Sequence, residues 1–119
     1  MTIFNKLKGN LLEMIPKRNE KVKWTKSKEG NLTLIINRQS WIDRLFQKLF
    51  KTPKQTTLDL DKIGSFVWLQ CDGKQNIRQI AKKLERKFPK EAAPIYERLI
   101  TFIRLLKKNG LISIHTKTK

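Results

Sequence analysis

One cysteine and one histidine are all the thiol and imidazole chemistry that this 119-residue chain offers. Covalent catalysis needs a nucleophile and a base within mutual reach. Cys71 stands beside an Asp-Gly turn with no base near it in sequence, and His115 lies four residues from the C-terminus. The two together fall short of a four-ligand zinc set. Asp59 and Asp61 are spaced as a carboxylate pair, but their place ahead of an apolar helical run fits helix capping better than acid–base work. The five glycines, at 9, 30, 64, 73 and 110, are too scattered to form a phosphate-cradling loop. The residues predict a protein that is not an enzyme and takes no cofactor or metal.

Charge is the chemistry that remains. The chain carries 27 Lys and Arg against 10 Asp and Glu, a formal charge of +17. Residues 1–57 hold 13 bases and 4 acids, and residues 58–119 hold 14 and 6, so the excess is spread over the whole chain. Such a balance implies an anionic partner: nucleic acid, an anionic lipid surface, or an acidic peptide or protein. A lone cysteine cannot form an internal disulfide, and the first twenty residues mix Asn, Lys and Glu into their apolar run. These features predict a cytoplasmic setting and no secretory signal.

The elements that must position such residues follow from periodicity and punctuation. Phe4, Leu7, Leu11 and Met14 suggest an amphipathic N-terminal segment over residues 1–20, with its helix stopped by Pro16. Val22 and Trp24, then Leu32, Leu34 and Ile36, alternate about a Lys-Glu-Gly-Asn turn and predict a β-hairpin with one buried face. Ile35 breaks the alternation, which implies partial cover of the second face. Residues 40–51 return to a helical period, with Trp41, Ile42, Leu45, Phe46, Leu49 and Phe50 opposite Arg44, Lys48 and Lys51. That basic amphipathic helix suits core packing, partner docking or peripheral contact with an anionic membrane. Residues 55–60 read as a third strand. Three helices follow, through Ile63 to Leu69, from an Asn76 cap through Phe88, and over residues 91–108. Asn109-Gly110 ends the last, and LISI forms a closing strand. The expected domain spans residues 21–114, with a disordered tail over 115–119.

The predicted fold class is α+β, a winged helix-turn-helix: a small antiparallel sheet packed on three helices, with extra N-terminal and 40–51 helices. Leu58, Phe66, Val67, Trp68, Ile77, Ile80, Leu84, Leu99, Phe102 and Leu106 are expected in the core. Such a fold binds in two ways. In a DNA mode, Arg78, Lys82, Lys83, Arg86, Lys87 and Lys90 would contact phosphates. In a peptide mode, an extended segment adds a strand to a sheet edge. The candidate edge is Gln55, Thr56, Thr57 and Leu58 with Leu60. The candidate helical wall is Tyr96, Arg98, Ile100 and Leu105. An open edge also permits edge-paired oligomers.

Several stretches resemble the PqqD family, named for the small chaperone of coenzyme PQQ synthesis. They are Leu58-Asp59, Gly64-Ser65-Phe66-Val67-Trp68, Asp72-Gly73-Lys74, Ile77 to Leu84, Arg98-Leu99-Ile100-Thr101-Phe102, and Asn109-Gly110-Leu111-Ile112. The segment Ile15-Pro16-Lys17-Arg18-Asn19-Glu20, the hairpin, and Phe50 to Pro53 resemble one branch of the family. The resemblance implies a RiPP recognition element, a module that binds the leader of a ribosomally made precursor peptide. The leader would lie as an added strand between residues 55–60 and 91–108. It would be presented to a modifying enzyme, such as a radical SAM protein. An acidic leader would complement the charge. A DNA-binding winged helix is the alternative reading.

Overall fold

Alternation and turn chemistry build the first sheet. In the computed structural model, which describes residues 11–37 and 55–116, the chain divides into two compact units. One comprises Glu20–Lys62, the other Met1–Asn19 with Ile63–Lys119. The expected helix at 40–51, and most of the N-terminal one, lie outside the described residues.

The Glu20–Lys62 unit holds β2 (Lys23–Lys26), β3 (Leu32–Asn37) and β4 (Gln55–Asp59), antiparallel in the order β2-β3-β4. The preceding strand, β1 (Ile15–Arg18), belongs to the other unit. The β2–β3 turn closes through Ser27, whose carbonyl accepts from Gly30 N at 3.0 Å and whose Oγ accepts from Asn31 N at 3.2 Å. Leu32, Leu34 and Leu60 are buried, as the period of two requires. Ile35 is half-buried, in line with its break in the alternation. Trp24 departs from expectation: it sits opposite Leu34 yet is 38 % exposed, while Leu34 is fully covered. An indole on an outer strand is too large to be enclosed by one cross-strand partner.

In the other unit β1 pairs antiparallel with β5 (Ile112–His115) in a second, two-stranded sheet. Around this pair stand α1 (Lys62–Gln70, starting at the unit boundary), α2 (Ile77–Lys87) and α3 (Ile95–Lys108). Trp68, Ile77, Ile80, Leu84, Leu99, Ile103, Leu106 and Leu111 form the buried core. The fold is therefore α+β, with two small antiparallel sheets and three helices among the described residues. The single sheet expected from sequence is two, because β5 joins β1 and stays out of the β2-β3-β4 order.

Three local expectations are corrected. Ile15 and Pro16 belong to a strand and not to a helix end. A residue before proline is held extended, and proline tolerates the outer position of a two-stranded ribbon. The last helix begins at Ile95 and not near Glu91, since Pro94 drives Ala93 out of helical geometry and serves as N-cap. His115 is the last residue of β5, opposite Ile15, and not part of a tail. Phe66 and Phe102, expected in the core, are half-buried, and so is Leu58.

The joints between helices are closed by specific hydrogen bonds. Asn76 Oδ1 accepts from Gln79 N at 2.8 Å and Gln79 Oε1 accepts from Asn76 N at 2.8 Å, a reciprocal capping box for α2. Between α1 and α2, Gly73 adopts φ +79° and donates its N–H to Pro16 O at 3.0 Å. A Cβ there would meet the Lys17 side chain at 3.2 Å. The carbonyls ending α1 have no basic residue in the last turn of their own helix. Arg18 supplies one from β1: its Nη1 donates to Trp68 O at 3.2 Å and Leu69 O at 2.9 Å.

Candidate functional site

The nine residues singled out from sequence divide between the two units, and each group is described in its own unit. Gln55, Thr56, Thr57, Leu58 and Leu60 lie on or beside β4, which has a neighbouring strand on one side only among the described residues. The register pairs Thr56 with Ile36, Thr57 with Ile35 and Leu58 with Leu34. Leu60 N donates to Leu32 O at 2.8 Å. In an antiparallel ladder, alternate residues turn both backbone groups toward the partner strand. Leu60, Leu58 and Thr56 therefore face β3, while Gln55, Thr57 and Asp59 direct N–H and C=O to the open edge. At the end of that edge Thr33 Oγ1 donates to Asp59 Oδ1 at 2.8 Å, fixing the strand end.

The α3 group is less uniform. Arg98 and Leu105 are exposed, Leu105 to 49 %, and Tyr96 is half-buried. Ile100 is only 7 % exposed and is no part of an accessible wall. It extends the apolar side of Ile95, Leu99, Ile103 and Leu106 inward, so the buried arc of α3 is wider than the sequence stripe suggested. Along the opposite flank an open groove of about 440 Å³ is lined by Pro94, Glu97, Arg98, Thr101, Phe102 and Leu105. Steps of three and four residues place these six on one helical face. Arg98 Nη1 donates to Glu91 O at 2.6 Å and to Ala93 O at 3.4 Å, tying the helix to the turns before it. Pro94, Glu97, Thr101 and Phe102 are the lining residues that sequence reasoning missed. The same three-and-four spacing from Pro94 to Leu105 could have found them, had Phe102 not been assigned to the core.

The residues with catalytic potential are committed elsewhere. Cys71 is fully buried, its Sγ donates to Val67 O at 3.3 Å, and desolvation raises the thiol pKa to about 12 against the lowering effect of Arg18. His115 Nε2 is 2.7 Å from Ser113 Oγ, both side chains being exposed on β5. Among the described residues no group of three His, Cys, Asp or Glu could hold a metal ion. Among them too, no helix is long and apolar enough to cross a membrane.

A family model described as coenzyme PQQ synthesis protein D (PqqD) matches residues 49–112, a span that takes in β4, all three helices and the first residue of β5. No curated protein and no solved structure matches the chain.

Proposed function

Because the chain belongs to the PqqD family, we propose that it is a non-catalytic peptide carrier of the cytoplasm. It captures a precursor (leader) peptide by strand addition and presents it to a modifying enzyme, such as a radical SAM protein. The observation that carries this reading is the outer edge of β4. Gln55, Thr57 and Asp59 offer outward backbone groups in a stretch whose first four residues, Gln-Thr-Thr-Leu, are uncharged. An extended guest gains affinity from those groups and specificity from alternate side chains. In the other unit, the α3 groove with Arg98, Phe102 and Leu105 is by itself suited to an apolar anchor beside a carboxylate. The net charge of +17 favours an acidic guest.

The test uses the polarity of the β4 backbone. Thr57 N–H points to the open edge, so Thr57→Pro removes a donor needed by a guest strand and leaves the β3–β4 ladder bonded. A peptide selected by display on the full chain is expected to lose at least about tenfold in affinity for Thr57→Pro, roughly the worth of one or two backbone hydrogen bonds. The far-UV circular dichroism should stay unchanged. Equal binding by wild type and variant, with no amide shifts at Gln55, Thr57 or Asp59, would overturn strand addition.

A further inference from the structure

We propose that the outward face of α2 is a second binding surface, one that holds the phosphodiester backbone of nucleic acid without regard to sequence. This goes beyond the peptide reading and does not depend on it. The apolar side of α2 is turned wholly inward: Ile77, Ile80, Ala81 and Leu84 are buried. Opposite them Arg78, Lys82, Lys83, Arg86 and Lys87 are exposed, with Glu85 as the one acid of the helix, and Lys90 follows in the next turn. Two of these cations are occupied. Arg78 Nη2 pairs with Glu13 at 2.9 Å, and Lys87 Nζ stands 5.5 Å from the Phe66 ring centroid and 5.9 Å from that of Phe88. Among the described residues the side chains of Lys82, Lys83, Arg86 and Lys90 have no hydrogen-bond or ion-pair partner.

Arg78, Lys82 and Arg86 follow at four-residue steps, as do Lys83 and Lys87. Like charges so spaced destabilise a helix. An anionic ligand removes that repulsion. Three features decide which anion. Four-residue steps set the cations about 6 Å apart along the axis, a regular row suited to a regular polyanion. Protein interfaces are depleted in lysine and centre on apolar anchors. Among the described residues the exposed large apolar side chains are Trp24, Leu69 and Leu105, none of them on α2. A helix lying in a membrane surface needs an apolar face to insert, and that of α2 is inside the core. Nucleic-acid interfaces, in contrast, are polar and strongly positive. Gln79 Oε1 is held in the capping box, so α2 has no amide free to read adenine through both its oxygen and its nitrogen, and its cations are set to meet phosphates.

Fluorescence anisotropy of the full chain with a short labelled duplex, at salt between about 50 and 200 mM, tests this. Lys82→Gln/Lys83→Gln/Arg86→Gln should weaken binding at least roughly tenfold at the lowest salt and flatten the log–log salt slope by about three. The single variant Lys82→Gln should flatten it by about one. Arg104→Gln/Lys107→Gln/Lys108→Gln, which removes the same charge from α3, should stay within about twofold of wild type. Duplexes of unrelated sequence should bind alike. Equal losses in the two triple variants would reduce the effect to net charge and overturn the proposal. Tighter binding of polyglutamate or of anionic vesicles than of duplex at equal charge would overturn it too, assigning the face to acidic polypeptide or to membrane.

Discussion

Cys71 shows how environment decides what a side chain can do. A thiol acts as nucleophile only when ionised, and burial beneath α1 pushes this one up to about 12. At pH 8 the native protein should give almost no reaction with a disulfide reagent over minutes. After denaturation the same reagent should report one thiol per chain. Rapid native labelling would mean that the end of α1 opens freely. Asp72, its neighbour, shows competing effects: burial raises its pKa, but hydrogen bonds from Lys74 N and the Gln75 amide outweigh that and hold it below the ordinary carboxylate value. Both residues sit in the turn that joins α1 to α2, where Gly73 φ and the Pro16 carbonyl already fix the backbone.

At the scale of elements, α1 is finished by a residue from another strand. Replacing Arg18 by alanine strips two carbonyls of their charged donor. The expected loss is about 1 kcal/mol, toward the lower end for a charged hydrogen bond because the side chain is partly exposed. A urea melt should show it as a lower midpoint at unchanged slope; an unshifted midpoint would mean that water caps α1 equally well. This contact also marks the limit of what the sequence disclosed. The second helix was legible from its Asn76 cap and its apolar positions, which lie within one short window, whereas its reciprocal partner Gln79 was not singled out. The hairpin and the edge strand near Thr57 were legible for the same reason. Ile15 and Pro16 were not, because a proline that ends a helix and a proline that opens an outer strand leave the same local mark. Only Ile114, the distant register partner of Pro16, tells them apart. Along α3 periodicity left open which flank is exposed: Arg98 and Leu105 are exposed, Ile100 is buried, and Phe102 is half-buried in the groove wall. Width of a buried arc depends on what packs against it, which spacing along one helix does not encode.

Over the whole molecule, a charge of +17 on 119 residues is a standing internal repulsion. Screening it should favour the compact state. Raising sodium chloride from about 0.05 to 0.5 M shortens the Debye length from above 10 Å to below 5 Å. The thermal midpoint should rise by several degrees, and differential scanning fluorimetry reads it directly. A falling midpoint would mean that the surface is stabilised by attraction between its own charges. The same excess of cations attracts an anionic partner, and salt screens that attraction, so binding at either proposed surface should weaken with salt and its measurement needs a stated ionic strength.

The pairing of Ile15–Arg18 with Ile112–His115 also sets an order of events on the ribosome. A chain is made from its first residue onward, so β1 emerges early and meets its hydrogen-bond partners at Cys71 and Gly73 well before its strand partner near Ile114 has been translated. The Glu20–Lys62 unit, continuous in sequence, can gather itself during that wait. The ribbon itself can close only after that, when the returning strand reaches the one made first.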